Sequence, residues 1–416
     1  MFQKNGALME LSTFLIQLVL ILISARVCGE LAAYFNAPSV IGELLAGVII
    51  GPSILGLVEM NATIQILAQI GIILLLFEVG IETDIAHLTS AGMKSLVVAV
   101  GGVVLPFIFS FVISYYLFDF TLLPSLFIAS TLTATSIGIT LRVFQDLKKQ
   151  NSKESHIIIG AAVIDDIIGI VLLAMLYEFS SSGQIYLWGT LRVLIFIMLF
   201  FLISPILAKL ISFIIKRWDE KCEIPGLITT SVVSLILFFA WVAHAVGAPE
   251  LLGGFAAGLA LSRHFYFPLV PFLRETKKFS LHIEETMKPI VHLFTPIFFV
   301  SIGLSLNFTD VNWSSTFIWL LTGWLLIAAI FGKLLSSFFL KGESRLMKLI
   351  IGTAMIPRGE VSLIFANIGL TAGVLKNDLY TSLILVIAIT TLVAPFVLRW
   401  LYSFEKPDLI PKLKKK

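Results

Sequence analysis

The stretch "GTAMIPRGEVSLIF" (residues 352–365) places Pro357, Arg358, Gly359 and Glu360 in succession inside a run that is otherwise apolar. Proline removes one helical hydrogen bond and its ring crowds the preceding turn, so a helix through this stretch is predicted to break near 356–359. What such a break means depends on the solvent around it.

That solvent is lipid. Of the 416 residues, 58% are hydrophobic and 13% charged, and the mean hydropathy is +1.00, a balance that excludes an ordinary water-soluble domain. Apolar stretches of about 20 residues recur from end to end, the length a helix needs to cross roughly 30 Å of hydrocarbon, whereas barrel strands would alternate over about 10 residues. The expected fold class is an all-α polytopic membrane protein with thirteen helices, at 11–34, 38–56, 62–81, 93–117, 121–144, 155–179, 187–215, 226–247, 250–265, 286–306, 315–340, 347–373 and 378–403. The first of these lacks the basic leader and small-residue cleavage site of a signal peptide, and reads as a membrane helix.

Thirteen crossings put the chain ends on opposite sides. Lys94, Arg142, Lys148, Lys149, Lys153, Lys216, Arg217, Arg274, Lys341 and Arg345 fall in one set of loops, while the other set holds little beyond Lys4 and Lys376. Cytoplasmic loops carry the excess of Lys and Arg, so the N-terminus is expected outside and the C-terminus inside, with 405–416 a basic cytoplasmic tail. This bias accounts for the net charge of +3 without a nucleic-acid partner. Cys28 and Cys222 both fall toward the reducing side, so no disulfide is expected. There is no Walker or dinucleotide fingerprint, which argues against a nucleotide-driven pump and implies no cofactor.

A second helix is unusual. "TLTATSIGIT" (131–140) packs five hydroxyls and a glycine into ten residues of the fifth helix. It lies seven helices before the one broken at Pro357, and an odd offset in a serially crossing chain means opposite orientation. Helices 4 to 6 and 11 to 13 then read as inverted repeats, in which paired broken helices cross near the midplane and their half-helix ends build an ion site. The plainer alternative is that the hydroxyls bond their own backbones and Pro357 only kinks its helix.

Charges at depth narrow the function. Each costs about 2.5–3.5 kcal/mol at a helix centre on insertion scales, so it has a task or a partner. "AAVIDDIIGIVLLA" (161–174) carries Asp165 and Asp166 side by side near mid-helix. Adjacent residues point about 100° apart around a helix, which gives the two carboxylates different neighbours and different roles. Lys333, in "AAIFGKLLSSFF" (328–339), is the other isolated charge near the midplane. One aspartate can pair with it while the other faces water and binds a cation or a proton; a purely structural ion pair is the alternative. Arg358 and Glu360 suit neutralisation of exposed half-helix dipoles better than direct ion binding. Glu78, in "LLLFEVGIETD" (74–84), is a secondary candidate or an interfacial residue. His244 and His292 are candidate pH sensors or simply solvated. Lys288 reads as a snorkelling anchor and 263–285 as an interfacial helix on the inner leaflet.

Together these pieces resemble the bacterial Na+/H+ antiporters of the monovalent cation:proton antiporter superfamily, in the branch with paired aspartates. The resemblance spans the chain and rests on "AAVIDDIIGIV", "TATSIGIT", "FGKLL" and "IPRGEVSLIFA" in this order. It implies exchange of Na+, with Li+ or K+ as alternative cations, for H+ across the cell membrane by an elevator-like movement. It further implies that Asp166 alternately binds the cation and protons and that Asp165 partners Lys333. Thr135 and Ser136 then flank the ion, Ser136 standing where several relatives carry an acid, and Pro357, Arg358 and Glu360 support the second broken helix. Similar proteins are homodimers, which makes 1–90 and about 187–265 dimerisation and scaffold helices, and about 93–179 and 315–403 the moving core, within one transporter domain spanning 1–416. A channel would need a filter-like repeat that is absent. An enzyme would need a metal cluster or a nucleophile–base set beside the aspartates, and none accompanies them.

Overall fold

The computed structural model describes residues 2–35, 37–82, 85–182, 226–262, 277–306, 308–309 and 311–404, with scattered residues between 191 and 210. The helix expected at 187–215 lies largely outside the described residues, as do most of 263–285 and all of 405–416.

The described chain is helical. In order the helices are α1 (Phe2–Tyr34), α2 (Ser39–Ile50), α3 (Ala62–Glu82), α4 (Ile85–Val112), α5 (Leu122–Thr131), α6 (Ile137–Asp146), α7 (Lys153–Ser182), α8 (Leu227–Ala245), α9 (Glu250–Leu261), α10 (Lys277–Ser305), α11 (Thr316–Phe338), α12 (Arg345–Ala354), α13 (Glu360–Thr371) and α14 (Asn377–Ser403). A π turn, Ile113–Leu117, extends α4. Eight of these are long and apolar enough to cross a membrane: α1, α3, α4, α7, α8, α10, α11 and α14. Each falls on an expected span, although α10 begins at Lys277, so the described end of the supposed interfacial segment is part of a membrane helix.

Two expected spans are each two short helices. The fifth divides into α5 and α6 around Leu132–Ser136, and the twelfth into α12 and α13 around Met355–Gly359. Ten residues of helix rise about 15 Å, half of the hydrocarbon thickness, so each half-helix ends near the midplane. The hydroxyls of Thr131 and Thr133 turn back on the carbonyls of Phe127 and Ser130, as the plainer reading supposed. Thr140 does not: its hydroxyl donates to Ala354 O, on the other broken helix, at 2.6 Å.

The repeats are visible in the packing. α4 and α11, the first helices of the two triplets, lie against each other, with Gly101 beside Ser336 and Gly332 beside Pro106. Numbers rise along one as they fall along the other, so the two helices are antiparallel, as inverted repeats require. The helices form two groups: α1, α2, α3, α8, α9 and α10 pack together, as do α4 to α7 with α11 to α14. In the first group α2 and α10 touch backbone to backbone, since a Cβ on Gly47 would meet Val300 O at 2.1 Å and one on Gly303 would meet Leu44 O at 2.1 Å. Lipid tails give helices no hydrophobic reason to associate, so close van der Waals approach through small residues takes that role. Between the groups, contact runs chiefly from α6 to α2 and α3, and from α14 to α2.

Candidate functional site

The two unwound segments meet. Ser136 N donates to Pro357 O at 2.8 Å, joining the start of α6 to the segment before α13. Unwinding leaves the carbonyls that end α5 and α12 without helical donors, and water is scarce at this depth. Arg358, completely buried, supplies those donors: Nη1 reaches Ile356 O at 3.1 Å and Nη2 reaches Leu132 O at 2.5 Å. Its own carbonyl accepts from Thr391 Oγ1 of α14. One guanidinium thus spans both breaks, as the dipole argument requires. Glu360 opens α13 at the positive end of that half-helix.

α7 passes the crossing with its aspartates. Both are buried, Asp165 at 2% exposure and Asp166 at 7%. Asp165 is engaged through both oxygens: Oδ2 accepts from Thr135 N at 3.0 Å, and Oδ1 lies 3.5 Å from Lys333 Nζ of α11. Lys333 is fully buried. Asp166 follows on the next face of α7. The hydroxyls of Thr135 and Ser136 are buried beside this cluster and make no hydrogen bond among the described residues. Unsatisfied oxygens in a dry setting are costly unless a ligand uses them.

A cavity of about 610 Å³ opens on one side. Gly169 and Ile170, one turn along α7 from Asp166, line it together with Gln69, His244 and Glu250. His244 Nδ1 and Glu250 Oε1 are 2.7 Å apart. At the other end of α6 polar contacts bridge the two helix groups. Asp146 Oδ2 accepts from Ser39 N at 2.9 Å and Ser39 Oγ at 2.7 Å, capping α2 from a neighbouring helix. Arg142 Nη2 lies 3.5 Å from Glu43 Oε1, and Gln145 Nε2 donates to Glu78 Oε2 at 2.9 Å.

The structure therefore brings Asp165, Lys333, Thr135, Ser136, Pro357 and Arg358 together, with Asp166 adjacent. Glu78 is elsewhere, buried at the bridge, where it accepts from Gln145. The backbone carbonyl of His292 accepts from Arg26 Nη2 at 2.9 Å. Sequence reasoning missed Thr391, Thr140, Glu43 and Asp146. Glu43 was detectable as a carboxylate inside an expected span; Thr391 looked like any hydroxyl in an apolar helix.

Comparisons with known proteins identify the family. The family described as sodium/hydrogen exchanger, transmembrane, matches residues 18–403. The chain belongs to that family. Among relatives of this exchanger-family chain, the Na(+)/H(+)-K(+) antiporter GerN of Bacillus cereus is 33% identical over 97% of this chain and 99% of its own. The high-affinity Na(+)/H(+) antiporter NhaS3 of Synechocystis is 31% identical, over 97% and 92%. The solved structure of the sodium proton antiporter MjNhaP1 from Methanocaldococcus jannaschii shares the fold, with a TM-score of 0.71 at 18% identity, covering 96% of this chain and 98% of that one. Membership with this many apolar helices makes it a multi-pass membrane protein of the cell membrane.

Proposed function

We propose that this chain exchanges a monovalent cation for protons, with Asp166 carrying the exchanged charge. The observation that carries this reading is the engagement of both Asp165 oxygens, by Lys333 and by Thr135 N, which makes Asp165 the structural member of the pair. Asp166, Thr135 Oγ1 and Ser136 Oγ then form a set of hard oxygen donors suited to Na+ or Li+, and the names of the relatives support sodium first, with potassium as an alternative. A cation and protons competing for one carboxylate cannot both ride it, so their fluxes are coupled.

The two helix groups act as a scaffold and a moving core. In support, α2 and α10 approach too closely to slide, while the groups meet through side chains along α6. With the N-terminus outside, the reading that the Lys and Arg bias supports, the cavity mouth faces outward and the polar bridge at Glu43, Arg142 and Asp146 closes the cytoplasmic side of an outward-open state. Homodimerisation through the scaffold completes the arrangement, and the function requires no enzymatic step.

A pH-gradient assay in proteoliposomes tests this. Sodium, lithium or potassium added in turn dissipates an imposed proton gradient and ranks the ions, while Asp166→Asn abolishes the response. Exchange that survives Asp166→Asn overturns the reading, and cation flux without proton movement indicates a channel.

A further inference from the structure

At Gly359 the two unwound segments leave no room for a side chain. A Cβ on its backbone would lie 2.6 Å from Ser136 Oγ and 2.8 Å from Ser136 Cβ, closer than carbon atoms pack in any protein interior. The φ of Gly359 is negative, −146° with ψ −140°, so no left-handed torsion calls for glycine here. The position needs glycine for space.

That space cannot be found by a local adjustment. The Ser136 hydroxyl can rotate, but its Cβ moves only with the backbone, and Ser136 N is held by Pro357 O at 2.8 Å. Ser136 is 1% exposed and Arg358 fully buried. On either side the same contact is tied by Arg358 Nη2 to Leu132 O and by Ser362 Oγ to Ala134 O at 3.5 Å. A methyl group at 359 therefore pushes residues 134–136 away from 357–359 as a unit. The displaced unit carries Thr135 N, which holds Asp165, and the two hydroxyls that lack protein partners among the described residues.

We propose that Gly359 is a positioning residue for cation binding, acting through Ser136: its missing side chain sets the separation of the two half-helix starts and so the placement of Thr135 and Ser136 beside the aspartates. The inference rests on the reading of this crossing as the exchange site. It makes residues 136 and 359 a coupled pair in which only one of the two can carry a side chain.

A double-mutant cycle in proteoliposomes tests it, with sodium titrated against a fixed proton gradient. Gly359→Ala raises the apparent KM for sodium at least tenfold. Ser136→Gly changes KM through loss of its hydroxyl, and Gly359→Ala/Ser136→Gly matches Ser136→Gly within about twofold, because the methyl group now occupies the vacated space. If Gly359→Ala alone does not yield folded protein, recovery of a monodisperse, transporting double variant is the supporting result. The inference is overturned if Gly359→Ala leaves KM unchanged, or if the double variant is as impaired as Gly359→Ala. These failures differ from failure of the site reading itself, which shows as exchange by Asp166→Asn.

Discussion

Asp165 and Lys333 are each taken out of water almost completely, at 2% and 0% exposure, and stand 3.5 Å apart. Removing one partner of such a pair leaves an uncompensated charge, a loss of about 3–5 kcal/mol, whereas removing both is close to neutral. Lys333→Met is therefore expected to lower the unfolding temperature in detergent by several degrees, and Asp165→Asn/Lys333→Met to recover most of the loss. Equal stability of Lys333→Met and the native chain would show that Lys333 is not the counter-ion of Asp165. The three charges were legible in the sequence because each interrupts a long apolar run. That one aspartate pairs with Lys333 was expected as well, and the resemblance pointed to Asp165; what only the fold revealed is that Thr135 N holds the second Asp165 oxygen.

Among the elements, the half-helices carry the proposed mechanism. Arg358 reaches carbonyls on two of them, and a lysine at that position keeps the charge but loses the planar fork that spans both. Arg358→Lys is expected to cut the exchange rate more than tenfold, measured in the same vesicle assay, where undiminished exchange would remove the bridging role. At its other end α6 holds α2 and α3 through Arg142, Gln145 and Asp146. Each such bond is worth about 1 kcal/mol, so Gln145→Ala with Asp146→Ala should shift the balance of states roughly tenfold or more toward the conformation open on the opposite side. Maleimide labelling of a Leu251→Cys probe in the cavity wall, in a background without Cys28 and Cys222, should slow accordingly; unchanged labelling would exclude a latch. The break at Pro357 was readable from proline chemistry. The break at Leu132–Ser136 was signalled by its five hydroxyls, and two of those, on Thr131 and Thr133, turn out to bond their own segment.

Across the whole molecule, the loop between α11 and α12 ties the ends of the second group together. Lys94 of α4 and Lys153 of α7 both contact Glu343 there, Lys153 at 2.8 Å. Burial pushes the Glu343 carboxyl up, but hydrogen bonds from Lys153 and Lys94 outweigh it and hold the group below the ordinary carboxylate value. A depressed folded-state pKa stabilises the protein above the unfolded value, about 4.3 for Glu, and that contribution is lost as pH falls through the folded one. Glu343→Gln should thus cost no more than about 1 kcal/mol near neutrality, and the gap to the native chain should close in acid, below about pH 4. A gap that widens on acidification, in unfolding curves measured against pH, would contradict this linkage.

Hydropathy, the Lys and Arg bias, one proline and three buried charges sufficed to indicate an all-helical membrane fold with broken helices in two repeats. They did so because lipid penalises every unpaired polar group, so each departure from an apolar pattern marks a place where the fold must compensate. Beyond the expected roles of Lys333 and Arg358, which groups compensate which was decided only in three dimensions. Ser136 and Gly359, 223 positions apart in number, compete for one volume, and Asp146 caps a helix that begins more than a hundred residues earlier. Side-chain volume and hydrogen-bond direction at a crossing depend on the approach of two backbones, and no local pattern in either segment records that distance.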